Sequence, residues 1–227
     1  MEFTPDKFCN LNCHLVSIGE IMTYTKHYLL IGLGGHSNSM EELLKDSLGI
    51  DRKNIEKIDY ETFTDGKNKA HIQKAYPVDE CYVYPAVGDP KLRRRIFDFI
   101  ESFDYMSPTL KSRQAMNSEN SVVDFGTVLM PGAVIRTGVH IGKGCVINTG
   151  AVIEHDVKIG DFVNIGPNAT ICGGSKIGNY SVIGAGATVI DKLTLVNDVV
   201  LGAGALCLAS LNESGTYFGS PARYVKK

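Results

Sequence analysis

A chain of 227 residues with 44% hydrophobic residues can form one large globular domain or two modest ones. The 23 Lys and Arg residues are balanced by 25 Asp and Glu residues, and the resulting net charge of −2 argues against a surface for nucleic acid. No apolar run is long enough for a membrane span, and the first residues lack the pattern of a secretory signal. Six scattered cysteines suggest no disulfide framework, so we expect reduced thiols and a cytoplasmic location.

Residues 1–27 show no clear hydrophobic period, and we expect them to form a peripheral leader. Cys9, Cys13 and His14 are residue types that bind metals, but the stretch lacks a second pair of ligands at zinc-finger spacing. We therefore predict that the protein holds no metal.

Residues 28–107 alternate predicted strands with predicted helices. The strands are expected at 28–31, 54–58 and 81–87. Such alternation predicts a small, Rossmann-like α/β domain with a parallel sheet.

The two longer helices of this domain have recognisable ends. Ser39 and Glu42 form a capping box that predicts the start of the first helix, and Gly49 predicts its end. Asp89 is the expected cap of the second helix, with Pro90 at its first position.

The carboxyl ends of parallel strands form the edge where ligands of such sheets bind. The glycine-rich turn after the first strand can present N–H groups to a phosphate, but Ser37 replaces the third glycine of a dinucleotide fingerprint, so we expect no nicotinamide or flavin. The glycines could equally serve turns, and His36 could cap the helix. The candidate ligand residues at this edge are Gly34, Gly35, His36, Asp59 and Gly88.

Residues 105–120 connect this domain to a second one, which we place at 108–227 with a C-terminal tail. Every sixth residue from Val123 to Leu201 is aliphatic, and the position four further on is mostly small or β-branched. A period of six fits neither a helix nor a simple strand, so the stretch predicts a solenoid of short strands and corners. We expect tight bends at the glycines that directly follow the aliphatic position: Gly142, Gly160, Gly166, Gly178, Gly184 and Gly202.

This solenoid resembles the hexapeptide-repeat acyltransferases, which implies a left-handed, triangular parallel β-helix. If three hexads form one coil, residues roughly eighteen apart lie above one another. His155 occupies neither inward position of its hexad and should project outward beside Asp156. By this stacking, His155 lies under Gly173.

A neutral imidazole can accept a proton from an attacking amine or hydroxyl, and an adjacent carboxylate can orient the ring. The backbone at Gly173 leaves room for a thioester, and its N–H could stabilise an oxyanion. A solvated surface histidine is the alternative. Cys172 beside Gly173 raises the hypothesis of a covalent acyl-enzyme, although no histidine is obviously placed to activate the thiol.

From about Tyr28 onward, the chain resembles the two-domain bacterial sugar acetyltransferases. That group includes N-acetyltransferases of nucleotide-linked 4-amino sugars, as in the bacillosamine pathway, and sialic acid O-acetyltransferases. The resemblance lies in four segments, which are residues 31–36, 87–93, 147–160 and 219–223.

The resemblance implies that His155 is the general base, that Asp156 is its partner and that the Gly173 amide faces the thioester carbonyl. Gly34, Gly35, His36 and Gly88 would contact the nucleotide-sugar, whereas Asp59 is a poor local match to the acidic residue of the family. Acetyl-CoA would lie between neighbouring solenoids of a homotrimer, near Gly173, Asn164, Ala185 and Ala203. Asn164 stands where members often carry a second histidine.

We therefore expect acetyl transfer from acetyl-CoA to the amine of a UDP-, dTDP- or GDP-linked 4-amino-4,6-dideoxy sugar. One alternative is an O-acetyltransferase of sialic acid or another sugar. Another is a non-catalytic trimeric scaffold or metal carrier, which would need several histidines at a subunit junction. The repeat contains only His140 and His155.

Overall fold

The computed structural model describes residues 26–64 and 69–225. Most of the expected leader, including Cys9, Cys13 and His14, lies outside the described residues, as does the end of the C-terminal tail. Within the described ranges, no helix has the length and apolar character needed to cross a bilayer.

The amino-terminal domain contains a three-stranded parallel sheet in the order β2-β1-β3. Its strands are β1 (His27–Ile31), β2 (Ile55–Ile58) and β3 (Cys81–Pro85). The predicted parallel sheet is confirmed. The α-helices are α1 (Gly35–Glu42), α2 (Tyr60–Thr64), α3 (Lys69–Ala75) and α4 (Pro90–Ser102), with a π-helical segment at Leu43–Ser47 and a 3₁₀ turn at Arg52–Asn54.

The predicted start of the first helix is wrong, whereas the other predicted helix ends are confirmed. Helix α1 begins at Gly35 after Gly34, and Ser39 lies inside it, where its hydroxyl donates to the Gly35 carbonyl at 3.2 Å. A serine can form this bond within a helix, so a capping-box pattern does not always mark a helix start. Gly49 ends the helical segment with φ +69°, and Asp89 caps α4 by accepting the Leu92 N–H at 2.7 Å.

The second domain is a parallel β-helix with three faces, which confirms the left-handed β-helix prediction. The first face contains β4 (Leu110–Lys111), β7 (Val128–Leu129), β10 (Val146–Ile147), β13 (Asn164–Ile165), β16 (Val182–Ile183), β19 (Val199–Leu201), β21 (Gly215–Phe218) and β22 (Arg223–Val225). The second contains β5 (Met116–Asn117), β8 (Val134–Ile135), β11 (Val152–Ile153), β14 (Thr170–Ile171), β17 (Thr188–Val189) and β20 (Leu206–Cys207). The third contains β6 (Val122–Val123), β9 (His140–Ile141), β12 (Lys158–Ile159), β15 (Lys176–Ile177) and β18 (Thr194–Leu195).

The coils stack in the predicted register. Val152 pairs with Thr170, and Ile153 pairs with Ile171 one coil above. The aliphatic and small positions of the hexads form one continuous buried cluster inside the prism. Because each coil can bury its apolar side chains only against its neighbours, this column stabilises the stacked repeat as a whole.

The prediction that glycines after the aliphatic position form the tight bends is wrong. The residues with positive φ recur every sixth position from Gly126 to Gly204, two residues further along the chain, and they include Asp156 at φ 60°. Small residues are instead needed after the aliphatic position because the next coil is close. A Cβ atom on Gly184, for example, would lie 2.5 Å from the Ala203 nitrogen.

The two domains share a packed interface. Leu30, Met40 and Tyr84 of the α/β domain form one buried cluster with Val128 and Met130 of the β-helix. Helix α4 runs along the corner between the third and first faces. There Phe97 stacks on Phe125 with ring centroids 6.2 Å apart and meets Phe162 edge-on at 5.5 Å. The exact boundary near residue 107 stays a prediction.

The contact between α4 and this corner gives a testable stability difference. A Cβ atom on Gly126 would lie 2.3 Å from Cε2 of Phe97, whereas one on Gly132 would meet no atom closer than 3.5 Å. Both glycines have nearly the same positive φ, +71° and +73°. Gly132→Ala should lower the free energy of unfolding by about 1–2 kcal/mol through backbone strain alone. Gly126→Ala should cost roughly 1–3 kcal/mol more, because the new methyl group displaces Phe97.

Chemical denaturation of the two variants measures this difference. Equal losses of stability in Gly126→Ala and Gly132→Ala would contradict the packing of α4 against the β-helix.

Candidate active site

The His155 and Asp156 side chains lie together on a turn after β11, at the corner between the second and third faces. Nδ1 of His155 is 2.9 Å from Oδ2 of Asp156. Both side chains are exposed. The hydrogen bond with Asp156 raises the pKa of His155, and the negative charges of Asp156, Glu154 and Asp191 act in the same direction.

The hydrogen bond fixes the role of each ring nitrogen of His155. An ionised carboxylate is only an acceptor, so Nδ1 of the imidazole must donate to Asp156. Nε2 of the neutral ring then carries the free lone pair. The arrangement therefore presents an oriented base with a raised pKa to the solvent.

Gly173 lies directly above the imidazole, one coil further along the β-helix. A Cβ atom on Gly173 would be 2.7 Å from both Cε1 and Nε2 of His155. The coils are held in this register by the Gly174 N–H, which donates to the His155 carbonyl at 2.9 Å. The stack of His155 and Gly173 borders an open depression of about 320 Å³. The depression is lined by His155, Asp156, Gly173, Gly174, Asp191 and Lys192.

Cys172 precedes Gly173 on the same turn but is poorly suited to act as a nucleophile. Burial raises the pKa of its thiol, and the charges of Asp191 and Glu154 raise it further. Because the thiolate is the reactive form, this environment disfavours a covalent acyl-enzyme.

Gly34, Gly35, His36 and Gly88 lie at the carboxyl edge of the small sheet. A Cβ atom on Gly34, Gly35 or Gly88 would meet open space. His36 lies inside α1, so it does not cap the helix. Its Nε2 atom is buried, and no partner for it exists in the described ranges.

The surroundings of His36 keep its imidazole neutral. Burial and the nearby positive charge of Arg93 lower its pKa to about 4. The ring thus offers one unsatisfied, uncharged nitrogen at the edge where a ligand is expected.

Asp59 lies at the same edge, but its carboxylate has a structural role. It accepts the backbone N–H groups of Glu61 and Thr62 at 3.0 and 3.4 Å and so caps α2. This helix is only five residues long and is not among the helices predicted from the sequence.

The residues expected near acetyl-CoA do not all lie together within one chain. Ala185 and Ala203 are exposed on turns between the first and second faces, at a different corner from His155. Asn164 lies on the first face and contacts the α/β domain. Its Nδ2 donates to the Gly88 carbonyl at 2.6 Å.

Arg93, a charged residue that is only 1% exposed, is not among the site residues predicted from the sequence. Its guanidinium donates to residues of both domains, including the Gly88 carbonyl of the α/β domain and the Gly144 carbonyl of the β-helix. The signal was present in α4, because Arg93 falls on the same buried stripe as Phe97 and Ile100. A charge inside an apolar stripe indicates a buried polar contact.

The repeat region matches a family model. Residues 120–155 and 156–191 match the bacterial transferase hexapeptide model, which describes six repeats. The acetyltransferase domain of PglB from Neisseria gonorrhoeae, solved in complex with acetyl coenzyme A, is 28% identical to this chain. The match covers 88% of this chain and 99% of that one, with a TM-score of 0.78. This chain is an acetyltransferase with a hexapeptide-repeat region.

Two further solved structures resemble this acetyltransferase. PerB from Caulobacter crescentus, in complex with CoA and GDP-perosamine, is 25% identical, with a TM-score of 0.78 over 88% of this chain and 97% of that one. WeeI from Acinetobacter baumannii, at 18% identity and a TM-score of 0.67, covers 88% of this chain and 100% of its own and shares the fold. A comparison with curated proteins gives no match.

The described ranges of the acetyltransferase contain no group of three or more His, Cys, Asp or Glu side chains that could hold a metal ion.

Proposed function

We propose that this acetyltransferase transfers the acetyl group of acetyl-CoA to the amine of a nucleotide-linked 4-amino sugar, with His155 as the general base. The observation that carries the proposal is the stack of an Asp156-oriented imidazole under the side-chain-free backbone of Gly173. The resemblance to structures that hold acetyl coenzyme A, or CoA with GDP-perosamine, supports the choice of donor and acceptor.

Each residue of the stack has a distinct role in the proposed reaction. The neutral amine attacks the thioester carbonyl, and Nε2 of His155 takes the proton that the amine loses. Asp156 stabilises the imidazolium that forms. Gly173 offers a backbone N–H that has no acceptor in the described part of the chain, and it can donate to the oxyanion. Collapse of the tetrahedral intermediate breaks the C–S bond, and the proton passes to the CoA thiolate.

Donor binding and acceptor binding are assigned to different surfaces. The acceptor would lie at Gly34, Gly35, His36 and Gly88, and the donor near Gly173, Ala185 and Ala203. The four acceptor residues form the acceptor edge of the α/β domain, which packs at the corner between the third and first faces of the β-helix. His155 lies at a different corner, between the second and third faces. We therefore propose a homotrimer in which the acceptor edge of one chain faces His155 of the next. We place the reaction in the cytoplasm, which agrees with unpaired thiols at Cys81, Cys145, Cys172 and Cys207.

A panel of acceptors tests the reaction. Acetyl-CoA is mixed with UDP-, dTDP- and GDP-linked 4-amino sugars and with sialic acids, and CoA release is measured. We expect release with at least one amino sugar and an amide product. Release with sialic acids alone would favour O-acetylation, and no release with any acceptor would contradict the proposal.

Mixed oligomers test the two-chain site. Chains with His155→Ala are co-assembled with chains that carry Gly35→Phe, which should block the acceptor edge. Neither variant should be active alone, but the mixture should recover activity because some sites combine the two intact halves. A mixture that stays inactive, although mixed oligomers form, would place the whole site within one chain.

Replacement of Asp156 by asparagine should shift the pH dependence of the reaction. Only neutral His155 accepts a proton, so activity rises as the pH rises through the pKa of His155. Asp156 raises that pKa, and Asp156→Asn should therefore move the acid limb of the pH profile to lower pH. Asparagine tolerates the positive φ at this position. We also expect kcat to fall by about tenfold or more, because the ring loses its orienting acceptor.

Initial rates as a function of pH measure this shift. Glu154→Gln is the control. Glu154 also raises the pKa of His155 through its charge but forms no hydrogen bond with the ring, so this variant should shift the acid limb less than Asp156→Asn. An acid limb that stays in place in Asp156→Asn would remove Asp156 from its proposed role.

A further inference from the structure

Arg93 is a buried guanidinium shared between the two domains. Three of its acceptors belong to the β-helix, namely the Gly144 carbonyl at 2.7 Å, the Phe162 carbonyl at 3.1 Å and Oδ1 of Asn164 at 2.6 Å. Two belong to the loop after β3, where Nη1 donates to the Val87 and Gly88 carbonyls at 3.1 Å. A guanidinium has five N–H groups, so all of them find an acceptor.

None of these acceptors is a carboxylate. Burial lowers the pKa of Arg93 to about 10, so the group remains charged at neutral pH. A buried charge without an ionic partner is costly unless hydrogen bonds satisfy it. The complete set of oxygens around Arg93 therefore fixes the guanidinium, and with it the two segments, in one arrangement.

Asn164 adds a second connection to the same loop. Its Oδ1 accepts from Arg93, and its Nδ2 donates to the Gly88 carbonyl at 2.6 Å. The Gly88 carbonyl thus receives hydrogen bonds from both Arg93 and Asn164. Gly88 itself remains exposed at the acceptor edge.

We propose that Arg93 and Asn164 form a clamp that positions the Gly88 loop for acceptor binding. The inference rests on the proposed function, in which Gly88 contacts the nucleotide-sugar. Both are positioning residues, because they act through the Gly88 carbonyl. The clamp assigns Asn164 to the acceptor side of the site, whereas the family resemblance implies a contact with the acyl donor.

A purely structural role would give a different kinetic result. Loss of folded enzyme lowers kcat and leaves both KM values unchanged, because the molecules that remain folded bind normally. Loss of a donor contact raises the KM for acetyl-CoA. Only misplacement of the Gly88 loop raises the KM for the acceptor selectively.

The test compares Asn164→Ala and Arg93→Lys with Arg95→Lys. Asn164 lies on the β-helix surface, where its backbone pairs with Val146 and Val182, so truncation of its side chain should leave the coil intact. Lysine keeps the charge of Arg93 but lacks the planar fork. Arg95 is an exposed arginine on the same helix, and its substitution controls for the chemical change.

We expect the acceptor KM to rise by on the order of 10–100-fold in Asn164→Ala and Arg93→Lys, because small displacements of a positioning group cost this much. The KM for acetyl-CoA should stay within about twofold of the wild-type value, and Arg95→Lys should match the wild type. An unchanged acceptor KM in Asn164→Ala, or a rise confined to the acetyl-CoA KM, would overturn the clamp. If Arg93→Lys does not fold, Asn164→Ala decides the result alone.

Wild-type enzyme and His155→Ala are measured in the same assay. An inactive wild type, or a fully active His155→Ala, would mean that the proposed function fails. If the wild type is active and its activity depends on His155, but Asn164→Ala does not raise the acceptor KM selectively, only the clamp fails.

Discussion

Replacement of His155 by alanine should lower kcat by about 10²–10⁴, the usual contribution of a general base. The imidazole has no role in the buried column of the β-helix, because it projects outward from a corner and its side chain is 61% exposed. The circular dichroism spectrum and the oligomeric state should therefore stay unchanged. Steady-state kinetics with acetyl-CoA and an amino-sugar nucleotide measure the loss.

His140→Ala is the matched control for this substitution. His140 is also an exposed histidine of the repeat, but it lies on β9 of the third face, away from the depression. We expect its variant to keep the wild-type rate. Wild-type turnover in His155→Ala would show that His155 is only a solvated surface residue.

Gly173→Ala should be nearly as damaging, although it adds a single methyl group. The new Cβ atom would lie 2.7 Å from Nε2 and Cε1 of His155, closer than van der Waals contact allows. The φ angle of Gly173 is outside the left-handed region, so alanine is not strained there. The methyl group must therefore displace the imidazole or fill the space proposed for the thioester, and we expect a loss in kcat of about 10²-fold or more.

Cys172→Ala provides the control on the same turn. It removes a partly buried thiol whose raised pKa disfavours nucleophilic attack. We expect its kcat to stay close to the wild-type value, whereas Gly173→Ala loses activity with an unchanged unfolding transition. Full activity in Gly173→Ala would contradict the stack, and loss of turnover in Cys172→Ala would favour an acyl-enzyme.

The β-helix and the His155 stack could be predicted from the sequence because every coil repeats the same environment. A period of six residues gives the strands, and a register of eighteen residues, as between Val152 and Thr170, brings Gly173 over His155. The turn residues with positive φ could not be located from the sequence, because the repeat contains two glycine-rich positions. One is required by positive φ, and the other by the close approach of the next coil.

The interface between the domains could not be predicted in the same way. Arg93 and Asn164 are 71 positions apart in the sequence, and no periodic pattern relates them. Their pairing depends on how α4 docks against one corner of the prism, where Phe97 packs on Gly126 and Phe162. The capping role of Asp59 could not be predicted either, because the short helix that it caps has no recognisable apolar stripe.

In the proposed reaction, His155 activates an amine for attack on acetyl-CoA. This step can be followed by nuclear magnetic resonance of the product that forms when acetyl-CoA with an isotopically labelled carbonyl carbon is incubated with the enzyme and a nucleotide-linked 4-amino sugar. We expect a labelled amide on the sugar nitrogen with the wild-type enzyme, and only a trace with His155→Ala at the same enzyme concentration. A labelled ester, or an amide that forms equally fast with His155→Ala, would rule out this role of His155.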